Sequence, residues 1–321
     1  MKLHHLREQM ERHQTAIYFA AMAMGFLLAL KVPGTGRLEV LITPALGAML
    51  FVTFLQVPLS SIAASLRNLR FVAALLVTNF IAIPLLVALM VPMFPEQPLI
   101  AIAMLFVLLC PCIDYVVTFS HLGKSDAPLL LATTPILLIV QMILLPLYLK
   151  IFLGQAAADL VRPGPFLHAF GFLIVIPILL AATLQGLGRR SVCMEEVERI
   201  AGALPVPATA AVLLIVIAAV TPQLEAALQA VAAALPVYLI YAAIAPLVGL
   251  AVARSFNIPA AAQRAIAFSA ATRNSLVVLP LALVVPGALP IIPAVIVTQT
   301  LVELVATLVY IPLIPRLAKA P

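Results

Sequence analysis

Residues 98–120 read Pro98-Leu-Ile-Ala-Ile-Ala-Met-Leu-Phe-Val-Leu-Leu-Cys110-Pro111-Cys112-Ile113-Asp114-Tyr115-Val116-Val117-Thr-Phe-Ser120. An apolar run meets a proline, two cysteines and a carboxylate at its middle. Proline has no amide hydrogen and breaks a helix at this point. The meaning of the carboxylate depends on the solvent, and composition supplies that. Of the 321 residues, 64% are hydrophobic and 9% charged, with a mean hydropathy of +1.21; soluble domains carry roughly 25% charge. A soluble globule of this size leaves most residues touching water and cannot hide so much apolar surface. The chain is therefore expected to be an all-α integral membrane protein. The net charge of +6 is assigned to lysines and arginines holding an inner membrane face, and no nucleic-acid partner is implied. Three cysteines without a C-x2-C pair provide neither a disulfide framework nor a zinc site.

A helical span needs about 20 apolar residues. Working outward from residue 110, ten candidates fall at about 15–31, 38–57, 71–93, 98–120, 127–151, 166–187, 200–220, 229–253, 258–285 and 289–314. With the N-terminus inside, thirteen basic residues lie on inner segments, four on outer segments, and Arg273 lies within a span. That bias puts both termini in the cytoplasm, in a plasma (inner) membrane. The start, MKLHHLREQMERH, lacks a cleavage site and is expected to be a short amphipathic helix, not a signal peptide.

The two halves echo each other. Pro135-x5-Gln141 returns as Pro293-x5-Gln299 at an offset of 158, and Cys112-Ile-Asp114-Tyr-Val-Val faces Thr272-Arg-Asn274-Ser-Leu-Val at an offset of 160. Five spans per unit make the second unit inverted, a common transporter construction. The expected organisation is a cytoplasmic segment at 1–14, a first five-helix repeat at 15–153, the sixth span and a cytoplasmic loop at 154–199, and a second, inverted repeat at 166–315. The fourth and ninth spans carry polar residues at their middles, the latter from Ser269 through Ser275. Interrupted helices at matched places point to a substrate site near the midplane; kinked helices with polar packing are the alternative.

Three ionisable residues cannot be placed in loops: Asp114, Arg273 and Glu303. Each costs at least ~2.5–3.5 kcal/mol at mid-membrane, so each should be paired, protonated or facing water. Asp114 and Arg273 sit at the two interruptions and can form a charge pair, either scaffolding or a switch. Glu303 has Gln299 one turn before it, which suits either a proton carrier or a carboxyl bonded to Gln299 or Gln141. Cys112 is either a small buried hydrophobe or a soft ligand for a thiophilic substrate. Cys110 could join it only if the helix is broken there. Cys193, in a loop, has no assigned role. No H-E-x-x-H, G-x-G-D or G-x-S-x-G occurs, so neither an enzyme nor a cofactor is implied.

With these residues in place, the sequence resembles the bile/arsenite/riboflavin transporter superfamily, and within it the arsenical-resistance permeases. Pro111-Cys112-Ile-Asp-Tyr-Val-Val-Thr-Phe-Ser-His-Leu-Gly-Lys124-Ser-Asp126 is similar to that family's fourth-span signature, Ala271-Thr-Arg-Asn-Ser275 to its ninth-span motif, and Leu301-Val-Glu303-Leu to its tenth. The resemblance implies ten spans in two inverted repeats, with a four-helix core whose discontinuous helices 4 and 9 cross, and a panel domain. It further implies arsenite efflux by exchange for protons, with Cys112 as the essential cysteine coordinating arsenic and Glu303 as the essential glutamate coupling protons. Asn274 and Ser275 would complete the substrate site, with Gln141, Gln299 and Ser269 as supporting polar groups. In the sodium-coupled branch a glutamate and a glutamine occupy the positions of Ser269 and Arg273. A guanidinium there would replace the sodium ion, which argues against sodium coupling. The partners implied are a small oxyanion or arsenical, protons and the bilayer. The alternative is an organic-anion carrier in which Arg273 binds the anion; a passive channel is a third possibility.

Overall fold

The computed structural model describes residues 2–56, 68–113, 115–158, 164, 168, 170–188 and 192–318. Among these, six helices are long and apolar enough to cross a membrane, and three shorter apolar helices accompany them. The chain is a multi-pass membrane protein. The helices are α1 Lys2–Arg12, α2 Gln14–Lys31, α3 Glu39–Gln56, α4 Leu69–Met93, α5 Pro98–Leu108, α6 Val116–Leu122 and α7 Ala127–Ala158. They continue with α8 Ile176–Gly188, α9 Val192–Ala201, α10 Pro205–Val220, α11 Leu224–Ser255, α12 Ala260–Ala271, α13 Ser275–Ala282 and α14 Ile291–Leu317. The fourth and ninth expected spans are each two pieces, α5 with α6 and α12 with α13. The sixth is described only in part.

Two compact units divide the chain. One comprises Met1–Val57, Val161–Leu228 and Leu279–Ala294; the other Pro58–Leu160, Gln229–Val278 and Val295–Pro321. Each draws on both halves of the sequence, so the compact units are not the repeats. The first unit holds α2, α3, α8 and α10. Gly25 of α2 lies against α10, where an added Cβ would stand 2.6 Å from the Leu214 carbonyl oxygen. Gln185 of α8 donates to the Leu55 carbonyl of α3 at 3.1 Å.

The second unit holds the two interruptions. It contains α4 to α7, most of α11, α12, the start of α13 and most of α14. Backbone freed at an interruption cannot face lipid, and the long helices α4, α7, α11 and α14 supply the cover. Close approach depends on small residues: a Cβ on Gly249 of α11 would lie 2.7 Å from the Ala270 Cβ and 3.0 Å from the Ala267 Cα of α12.

Proline within these helices leaves carbonyls without donors, and the structure fills two of them alike. Pro84 cannot donate to the Phe80 carbonyl four residues earlier, and the chain there loosens into a π turn, Thr78–Ala82. The Tyr148 hydroxyl of α7 donates to that carbonyl at 2.6 Å. Pro246 likewise frees the Ala242 carbonyl in α11, and the Tyr310 hydroxyl of α14 donates to it at 2.6 Å. Proline, acceptor and tyrosine all recur at an offset of 162 residues.

Candidate functional site

The second unit's α5 ends at Leu108 because Pro111 removes an amide hydrogen just beyond it. A tightened turn follows, with Cys110 N–H donating to Val107 O at 3.1 Å. The chain then runs extended past Pro111, antiparallel to the interruption between α12 and α13. Pro111 and Arg273 form the bridge. Cys112 N–H donates to Thr272 O at 3.2 Å and Asn274 N–H donates to Cys110 O at 2.9 Å. Each broken segment therefore satisfies the other's main chain, as a low-dielectric interior demands. Proline suits this place: in such a pair the bridge residues' own amides point away from the partner strand.

Arg273 is fully buried. Its Nη2 donates to Asn79 Oδ1 at 2.9 Å, to Ala270 O at 2.9 Å and to Ser269 O, while Nη1 reaches Leu108 O at 3.4 Å. The Tyr241 ring lies 5.8 Å from its Cζ. Three of these acceptors are carbonyls of the last turns of α5 and α12, where helix dipoles concentrate negative potential. The guanidinium thus occupies a cage of helix-terminal oxygens of the sort that coordinates cations in broken-helix transporters. Asn79 belongs to the π turn of α4 and also donates to Ser269 Oγ at 3.0 Å, locking the cage from the side.

Glu303 of α14, 2% exposed, meets the same interruption from another direction. Its Oε2 accepts from the Arg273 main-chain N–H at 2.6 Å and from Gln299 Nε2 at 2.6 Å. Gln299 Oε1 in turn accepts from the Ser275 hydroxyl. The Tyr115 hydroxyl also bonds to the carboxyl and reaches Arg273 O at 3.4 Å. The other carboxyl oxygen, Oε1, has no partner among the described residues, and neither has Asn274 Nδ2. A carboxyl with one oxygen held and one unsatisfied can exchange a proton without dismantling its anchor.

Of the residues expected from sequence, the structure gathers Cys112, Ser269, Arg273, Asn274, Ser275, Gln299 and Glu303 around one crossover. Asp114 lies outside the described residues. Gln141 is buried in α7, yet neither atom of its amide has a partner among the described residues; the Glu303 carboxyl is joined to Gln299 instead. Asn79, Tyr115 and Tyr241 were not anticipated. A polar residue five positions before Pro84 in an otherwise apolar span was the available signal for Asn79.

The model of the Sodium Bile acid symporter family matches residues 43–230, more than half of the chain. The matched stretch includes Cys112 and the first interruption. No curated protein matches the chain.

Proposed function

The chain belongs to the sodium bile acid symporter family and is a membrane transporter of that type, and on that premise we propose that it exports arsenite or a related thiophilic arsenical in exchange for protons. Access alternates at the crossover of the two interrupted helices, within ten spans arranged as inverted repeats, and both termini face the cytoplasm. Cys112 supplies a soft sulfur ligand for arsenic, Asn274 and Ser275 bond its hydroxyls, and Glu303 carries the proton. Asp114 and Arg273 set the field, and Arg273 stands in for a coupling sodium ion.

The observation that carries this reading is the attachment of the Glu303 carboxyl to the broken ninth span. It holds the Arg273 N–H directly and Ser275 through Gln299. A proton gained or lost at Glu303 is felt at once by the main chain that would line the substrate site. If substrate and proton compete there, exchange follows. The guanidinium's occupation of the carbonyl cage supports independence from sodium.

Proton-driven arsenite uptake into inverted vesicles is the test. Uptake is expected to fall to background in Cys112→Ala and in Glu303→Gln, and to ignore a sodium gradient. Wild-type uptake by the first variant refutes thiol coordination; wild-type uptake by the second refutes proton carriage. The Arg273 Nε, buried without a partner among the described residues, favours a second reading as an organic-anion carrier. A carboxylate metabolite that raises the melting temperature where arsenite does not would select it.

A further inference from the structure

The extended pairing at the crossover has a consequence for the second thiol. In an antiparallel bridge the paired residues share one face and their neighbours along each strand share the other. Pro111 and Arg273 are the bridge, so Cys110 and Cys112 lie together on the opposite face. Thr272 stands across from Cys112 and Asn274 across from Cys110, as their two main-chain bonds require. A regular helix would have set the two sulfurs about 200° apart. The interruption after Leu108 puts them on one side, with α-carbons about 6.6 Å apart at the rise of an extended strand. Both are buried.

We propose that Cys110 and Cys112 form a dithiol site that chelates one trivalent arsenic atom bearing at least two exchangeable hydroxyls, with the Asn274 amide donating to a remaining hydroxyl. The proposal deepens the transport reading and rests on it for the site's use in transport. A disulfide needs β-carbons only about 3.5–4.5 Å apart. An arsenic atom between two sulfurs bridges a wider gap, which suits thiols on alternate positions of a strand. The chemistry is condensation without redox: arsenous acid and two thiols give a dithioarsenite and two molecules of water. Each As–O bond is replaced by an As–S bond, and each thiol proton leaves with a hydroxide. The Asn274 Nδ2, without a partner among the described residues and on a side chain 2% exposed, is the independent sign that this face is built to meet a ligand. A retained As–OH provides its N–H groups with an acceptor.

The protein has three cysteines, and the exposed Cys193 can be removed, so Cys193→Ser leaves the pair alone. The purified Cys193→Ser protein is titrated with phenylarsine oxide, then denatured in SDS and alkylated with N-ethylmaleimide for mass spectrometry. One arsenical per chain is expected, with both Cys110 and Cys112 protected and the adduct resisting 2-mercaptoethanol but released by 2,3-dimercaptopropanol. Adding Cys110→Ala should weaken binding about 100-fold or more, the range expected when two linked attachments become one. Protection of Cys112 alone, or affinity unchanged by Cys110→Ala, overturns the proposal. Because the protection assay uses an intact pair, it does not depend on how the variant folds. The two readings also fail separately. Chelation without arsenite transport sinks the transport reading, whereas arsenite transport with only Cys112 protected sinks the chelate.

Discussion

Replacing Arg273 by alanine tests the crossover's central claim, that a fixed guanidinium is part of its architecture. The substitution removes three close bonds, to Asn79, Ser269 and Ala270, and a weaker one to Leu108. Hydrogen bonds to charged groups are worth about 1.5–3 kcal/mol each, so the three close ones dominate. Against that, removing the charge relieves ~2.5–3.5 kcal/mol or more of burial cost in the bilayer. The loss of the Tyr241 face and the cavity left behind tip the balance further, and a net destabilisation of about 3–5 kcal/mol results, as when one member of a buried charged network is deleted. At roughly 2 °C or more per kcal/mol, the purified protein in detergent should melt about 6–10 °C lower. Arg273→Lys keeps the charge, but its single ammonium cannot serve both helix ends and Asn79, so it should fall between the two. The emptied cage presents Leu108, Ser269 and Ala270 carbonyls and Asn79 Oδ1 to any small cation. Added guanidinium at millimolar concentration should therefore recover part of the loss in Arg273→Ala and none in the wild type. A variant that melts within about 1 °C of the wild type would refute the reasoning, as would recovery by N-methylglucamine to the same extent.

Gly249→Leu should prevent α11 from closing on α12, since even a methyl group there meets the Ala270 Cβ at 2.7 Å and the Ile266 carbonyl at 3.1 Å; a loss of about 1–3 kcal/mol is expected in thermal melting. Tyr148→Phe and Tyr310→Phe each orphan the carbonyl freed by a proline, Phe80 in one case and Ala242 in the other. Each should cost about 1–3 kcal/mol, and because the two arrangements share no residue the double variant should show additive losses; strong coupling in the double-mutant cycle would argue against two independent repairs.

Much of the site was legible because its markers are local. Pro111 and the polar run from Ser269 to Ser275 locate the interruptions, since a missing amide hydrogen and clustered polar groups within an apolar span act where they stand. Gln299 and Glu303, four residues apart, share a helix face, and they do bond. Gln141 shows the limit of this reasoning. Its spacing from Pro135 matches that of Gln299 from Pro293, yet among the described residues Gln299 bonds within the site and Gln141 does not, because the α14 turn that carries Gln299 faces the ninth span and Glu303.

Hydropathy alone determined the solvent, the apolar runs and the three charges that had to be explained, because transfer into lipid is a property of each residue. The tertiary structure decided what answers two of those charges, Arg273 and Glu303. Arg273 is held chiefly by main-chain carbonyls, and every residue carries one, so no pattern of side chains marks which will be left without a donor. That becomes defined only when two helix ends are brought together. The same holds for the prolines: sequence shows that Phe80 and Ala242 must lose a donor, but only packing brings the Tyr148 and Tyr310 hydroxyls to them. The two cysteines stand two positions apart in the sequence, and only the strand-like pairing of the broken segments turns that spacing into a shared face.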